Sequence, residues 1–145
     1  MNDRIRGIFK AKDKSTLEWV YGHLMEHFEK YYIYYEEDDE MCQVGRWLQS
    51  AEVIPETICE YTNIVDNAGK MIYENDVVET KYGRLCKVVW YSSNSYIGWD
   101  LEPITTKENL ELPTPDGWDL WKPSNLTLMG NIHDDNNNIH KEYKR

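Results

Sequence analysis

The chain has 145 residues, 41% hydrophobic and 13% aromatic, and its 16 Lys and Arg against 26 Asp and Glu leave a formal net charge of −10. That balance disfavours plain binding of nucleic acid or of an anionic membrane, because phosphates are held mainly by neutralising Lys and Arg. No positively charged segment followed by an apolar run opens the sequence, and no apolar run approaches the ~18 residues of a membrane span, so a cytoplasmic protein with no membrane partner is expected.

The length fits one domain on the usual scale of roughly 100–200 residues. We expect it over residues 1–133, with 134–145 as a flexible polar tail, because that end holds too little apolar surface to offset the entropy of ordering. The 11 Tyr and 6 Trp against only 2 Phe favour strands and half-wet surfaces, where a ring buries its body and hydrogen-bonds its polar tip. Cys42, Cys59 and Cys86 are odd in number and widely spaced, which suits neither a disulfide framework nor a zinc knuckle, and reduced thiols packed as small apolar groups are expected.

In chain order, Arg4–Lys12 alternates weakly, Asp13-Lys14-Ser15 supplies turn residues, and Leu17–Tyr21 resumes the pattern, which predicts a β-hairpin. Between Leu24 and Tyr35 helical spacing of Leu24, Phe28, Tyr31, Tyr32 and Tyr35 competes with the aromatic run Tyr31–Tyr35. Aromatic and β-branched density decides for two strands around a tight turn near Glu29-Lys30. The acidic block Glu36–Glu40 predicts an exposed loop or bulge, since like charges resist burial. An uninterrupted acidic run also lacks the interleaved Gly and carbonyl ligands of a calcium loop. Trp47-Leu48 is expected to cover one edge of the core.

The stretch Val53–Val78 organises the chain: a Pro-initiated extended run, a polar turn at Asp66–Lys70, and a new apolar strand from Ile72 to Val78. Strands at Asp76–Lys81 and Leu85–Tyr91 follow, joined around Gly83, then one through Tyr96–Leu101 ending near Pro103, a short one at Asn109–Leu112, a Pro-broken loop at 113–117 and a last strand at Leu126–Ile132. Many short strands with turn signals every ~8–12 residues predict a mainly β fold with little helix, drawn as a small β-barrel, SH3-like or related, with N-terminal β-hairpin extensions.

His23-Leu24-Met25-Glu26-His27 has the H-x-x-E-H spacing of a zinc hydrolase. On a helix the two His share a face one turn apart; on a strand they lie about 13 Å apart, too far for one metal. The flanking sequence is strand-like, so no metal and no cofactor is expected. No nucleophile elbow, phosphate-binding loop or dinucleotide fingerprint appears, and no catalytic residue is assigned. Two sets of residues remain as candidates for interaction. Glu56, Glu60, Glu74 and Asp76 form a carboxylate cluster in sequence, with turn capping as the simpler role. Trp90, Trp99, Trp118 and Trp121 offer rings for stacking or for a subunit interface. Glu56, Tyr61, Tyr73, Asp76, Trp90 and Trp99 are the residues singled out.

Taken together, Ile5–Ser15, Glu18–Gly22, Pro55–Ile58 with Tyr61-Thr62, Asp66–Lys70, Ile72–Val78 and Gly130–His133 resemble, in order and spacing, the YopX-like family of phage and prophage proteins. The family pattern has Gly where this chain has Cys59, Asn63 and Asn75. Asn63 and Asn75 are therefore expected at left-handed turn positions, which Asn tolerates, and Cys59 at an extended or crowded one. The resemblance implies a mostly β protein of a phage or integrated element and brings no reaction, cofactor or established partner. The leading expectation is a non-enzymatic protein acting through protein contacts, with a host or phage protein or as a homo-oligomer. The alternatives are a nucleic-acid-associated module, or an acidic DNA mimic that occupies a host DNA-binding protein.

Overall fold

A computed structural model describes residues 8–38, 46–113 and 121–134. The fold is mainly β, and the chain divides into two compact units, residues 1–61 and 62–145.

In the first unit β1 (Ile8–Lys12), β2 (Trp19–His27), β3 (Lys30–Asp38) and β4 (Arg46–Glu52) form an antiparallel meander, and the start of β5 (Cys59–Val65) pairs with β1 on its other side. The expected first hairpin is present. Its turn is tied by Asp13, whose Oδ1 accepts from the amides of Ser15 at 2.7 Å and Thr16 at 3.3 Å, an Asx turn of the kind short carboxylates favour. The predicted two-strand reading of Leu24–Tyr35 also holds, with the turn at Phe28-Glu29 and His27 opposite Lys30. Alternation sorts the aromatic run: Tyr31, Ile33 and Tyr35 point to a core of Ala11, Ile33 and Val53, together with Phe9, Val20, Leu24 and Ile58.

The acidic block departs from expectation. Glu36–Asp38 continue β3, opposite Leu48, Trp47 and Arg46 of β4. Strand pairing is a relation between backbones, so Glu36 stays exposed within it. Asp39 and Glu40 lie outside the described residues, as do the side chains of Trp47 and Leu48. After β4 the chain makes a 3-10 turn at Pro55–Thr57 where an extended run was expected. Proline opens it with its preset φ, and Thr57 anchors it, its Oγ1 accepting from Lys12 N at 2.8 Å and donating to Ile54 O at 2.7 Å.

The second unit holds the end of β5, β6 (Met71–Tyr73), and a four-stranded antiparallel sheet in the order β10-β7-β8-β9, made by β7 (Asp76–Glu79), β8 (Leu85–Ser92), β9 (Ile97–Pro103) and β10 (Thr127–Asn131). Ile72 of β6 packs with Val78, Cys86, Val88, Leu101 and Leu126 in one buried cluster. The predicted single strand Ile72–Val78 is two strands folded at Glu74-Asn75, because Asn75 takes φ 65°. Asn63 likewise sits at φ 69°, so both Asn positions are left-handed as the family pattern implied. Cys59 is fully buried in β5, as a small side chain in an extended position should be.

Asn109–Leu112, expected as a strand, begins inside a short helix, α1 (Lys107–Leu110). Thr106 caps it, accepting from Asn109 N at 3.3 Å. The Asn109 amide imitates a strand: Oδ1 accepts from Leu85 N at 2.7 Å, and Nδ2 donates to Leu85 O at 2.9 Å and Ile104 O at 2.7 Å. A side chain here supplies the pairing that sequence reading gave to backbone. Among the described strands no barrel closes. The loop at 114–117 and the tail from 135 onward fall outside the described residues, and no described helix is long and apolar enough to cross a membrane.

Candidate functional site

Two polar knots in the second unit account for its buried acids. Asp76, fully buried at the start of β7, accepts from Tyr73 N at 2.7 Å and from Asn131 Nδ2 at 2.9 Å. It closes the β6–β7 turn and ties the end of β10 to it. Asp66, also buried, accepts from the amides of Ala68 at 2.9 Å and Lys70 at 2.8 Å through one oxygen and from Leu128 N at 2.9 Å through the other. Burial alone would raise its pKa, but these three amides and the Lys70 charge outweigh burial and hold it below the usual carboxylate value. Both acids cap backbone donors, the simpler role expected for Asp76 among the clustered carboxylates.

The free edges of the four-stranded sheet are occupied by the unit's own side chains. The Leu128 amide on β10 is the one that Asp66 takes. On β9, hydrogen bonds from Ser93 N to Tyr96 O and from Ile104 N to Leu85 O set the phase of pairing. Trp99 and Leu101 therefore direct their backbone groups away from β8. Tyr96 Oη donates to Trp99 O at 2.6 Å, Asp100 Oδ1 accepts from Leu101 N at 2.8 Å, and Pro103 has no N–H to offer. The Tyr96 ring can lie there because Gly98 has no side chain: a Cβ would come within 3.0 Å of its hydroxyl. An edge sealed this way resists strand addition.

The aromatic candidates lie at the same hairpin. Trp90 and Trp99 are cross-strand partners with ring centroids 5.1 Å apart, edge to face. Trp99 packs on the core while Trp90 is 53% exposed. Trp121 also packs on that core, and Trp118 is outside the described residues. Tyr73 is buried at the end of β6. Tyr61 and Glu56 belong to the first unit, Tyr61 buried in β5 with its phenol pKa raised by burial, and Glu56 exposed on the 3-10 turn. The six residues singled out from sequence thus divide into two linked pairs, Tyr73 with Asp76 and Trp90 with Trp99, and two separate members.

β2 is a strand, so His23 and His27 stand on one face about 13 Å apart and Glu26 on the other. Among the described residues no group of three or more His, Cys, Asp or Glu is placed to hold a metal ion. The Cys86 thiol is pushed up to about 11, mainly by burial, with Asp100 adding and Arg84 opposing. It stays protonated and is a poor nucleophile.

The most exposed aromatic among the described residues is one that the sequence did not single out. Phe28, 85% exposed, occupies the β2–β3 turn with Glu29, at φ 51° and 64°. Its only sequence signal is a bulky residue at the centre of a two-residue hairpin, where Asn-Gly or Asp-Gly would be ordinary. Beside the turn lies an open cavity of about 360 Å³ with apolar lining from Tyr31, Val53, Ile54 and Pro55 and charged lining from Lys14, Glu29, Lys30, Glu52 and Glu56. Lys14 Nζ pairs with Glu52 Oε2 at 3.2 Å on its rim.

A family model described as YopX protein matches residues 8–140, most of the chain. The chain belongs to the YopX family. Of the residues that carried the resemblance, Asp66, Asn75, Asp76 and Thr57 now have structural roles in this YopX chain, as caps and turn residues. No curated protein matches it.

Proposed function

We propose that this YopX-family chain is a non-enzymatic β scaffold of phage or prophage origin that works in the host cytoplasm through protein contacts, as a homo-oligomer. One observation carries the reading: large apolar side chains stand exposed at hairpin ends, Phe28 and Met25 in the first unit and Trp90 and Ile97 in the second. Aromatic side chains and Met are enriched at protein interfaces, and exposing them costs solubility unless a partner covers them. The buried acids and amides, by contrast, are spent on backbone capping.

The second unit is read as a partly open small barrel. Its buried cluster joins β6 to the face of the four-stranded sheet through Ile72, Val78 and Val88, the arrangement of a scaffold that presents loops and hairpins. Light scattering on the purified chain tests the oligomer: a mass of two or more chains is expected, and a strict monomer at tens of micromolar overturns it.

A further inference from the structure

We propose that two copies of this chain pair edge to edge along β4, Arg46–Ser50 of one lying antiparallel to Arg46–Ser50 of the other about a two-fold axis at Leu48. The inference names the partner and the surface for the protein-contact reading above and rests on it.

The state of the strand edges gives the first reason. An open edge presents unpaired N–H and C=O groups, and proteins usually blunt it. This chain does so in its four-stranded sheet, where Asp66 takes the Leu128 amide on β10 while Tyr96, Asp100 and Pro103 close β9. β4 ends the six-stranded sheet, with β3 on its inner side. Its segment Arg46–Ser50 holds no Pro, and among the described residues no other strand lies against its outer side.

The phase of the ladder gives the second. Val53 N donates to Tyr31 O at 2.9 Å, while Glu52 O faces the other way and accepts from Lys14 N at 2.9 Å. Backbone direction alternates from residue to residue along a strand, so Ser50, Leu48 and Arg46 turn their N–H and C=O groups outward as Glu52 does. Lys14 already stands opposite Glu52 and stops an incoming strand there. The longest in-phase antiparallel register that stays clear of Lys14 sets Leu48 against Leu48 and Arg46 against Ser50. A two-fold interface needs a segment that matches itself, and this one does.

Charge gives the third. On a chain of net charge −10, the segment from Arg46 to Ser50 carries only the cation of Arg46. The acids of the neighbouring strand, Glu36, Glu37 and Asp38, lie opposite Leu48, Trp47 and Arg46, so those of two copies stand three strand spacings apart, about 14 Å. That exceeds the Debye length of about 8 Å at physiological salt, and repulsion across the pair is largely screened. The register also sets Arg46 of each copy toward the Glu52 end of the other's strand, opposite charges together.

Sedimentation velocity of the full chain across the micromolar range tests the pairing. The wild type should dimerise. Ser50→Pro removes an N–H that points away from β3, so the chain's own ladder stays whole, as edge strands allow. Each end of the dimer then loses a hydrogen bond, and the dissociation constant should rise about thirtyfold or more. Circular dichroism checks the fold, and a second variant decides the matter if Ser50→Pro unfolds. Leu48→Cys meets itself across the axis at a Cα spacing of about 5.5 Å, within disulfide reach, and should link into a covalent dimer under mild oxidation. Gln49→Cys, out of register with itself, and the wild type with its own Cys42, Cys59 and Cys86 should not. A folded Ser50→Pro chain that dimerises like the wild type, or a Leu48→Cys chain that links no more than Gln49→Cys, overturns the β4 pairing and leaves the oligomer reading standing on another surface. A wild type that stays monomeric throughout removes both.

Discussion

The turns at Glu74-Asn75 and at Phe28-Glu29 both reverse the chain through a positive φ, the first passing from β6 of one sheet to β7 of the other and the second closing a hairpin, with opposite chemistry. At Asn75 the left-handed position, φ 65°, goes to a residue that tolerates it. Its amide donates to Val88 O at 2.8 Å, its carbonyl accepts from Ile132 N at 3.1 Å, and Asp76 locks the turn from beneath. At Phe28 and Glu29 two ill-suited residues take the conformation, and the ring points to solvent. The first turn is built for stability. The second costs stability and leaves its ring in solvent.

The largest expected effect falls on the well-built turn. Asp76→Ala leaves the Tyr73 amide and the Asn131 side chain without this buried acceptor and should cost about 3 kcal/mol or more. Urea unfolding measures it, and a loss below about 1 kcal/mol would mean that the knot is not what holds β6, β7 and β10 together.

Next comes the base of the β2–β3 hairpin. A Cβ on Gly22 would overlap the Tyr34 carbonyl, so Gly22→Ala should cost about 1–3 kcal/mol, read from the shift in thermal midpoint. An unchanged midpoint would show that β2 and β3 can separate freely.

A smaller effect concerns pH. The folded-state pKa of Asp66 is lowered, so its contribution is present above the unfolded value of about 3.9 and is lost as pH falls through the lower folded value. Asp66→Asn should flatten that acid limb of the stability profile. A limb of unchanged slope would assign acid unfolding to other carboxylates.

The smallest effect has the opposite sign and bears directly on the comparison. Phe28→Asn should stabilise the isolated fold by up to about 1 kcal/mol, because it puts at this turn the residue type that Asn75 supplies at the other. If unfolding experiments show destabilisation instead, Phe28 is held by packing and the contrast between the turns disappears.

Much of the strand layout was legible because side-chain alternation and turn residues are local signals. The Asn63 and Asn75 conformations followed from the Gly that the family pattern has at both positions, which Asn replaces at small steric cost. The misreadings share a cause. Glu36–Asp38 looked like a loop because charge was weighed and pairing partners were invisible. Asn109 looked like strand because its amide does a strand's hydrogen bonding. For the site, composition singles out Trp90 and Trp99 among the Trp residues but not their cross-strand contact, and the exposure of Phe28 is not written in a lone aromatic residue.

The sequence by itself determined a mainly β chain, left-handed positions at two Asn residues and membership of a recognisable family, since these depend on periodicity, on the Gly that the family pattern has where Asn63 and Asn75 stand, and on motif order. Only the tertiary structure decided that Asp66 and Asp76 are caps, that Tyr96 and Asp100 seal an edge, and that Phe28 stands beside a cavity. The ties from Asp66 to Leu128 and from Asp76 to Asn131 span 62 and 55 residues, and even the local contacts of Tyr96 and Asp100 seal an edge only because strand pairing turns those backbone groups away from β8.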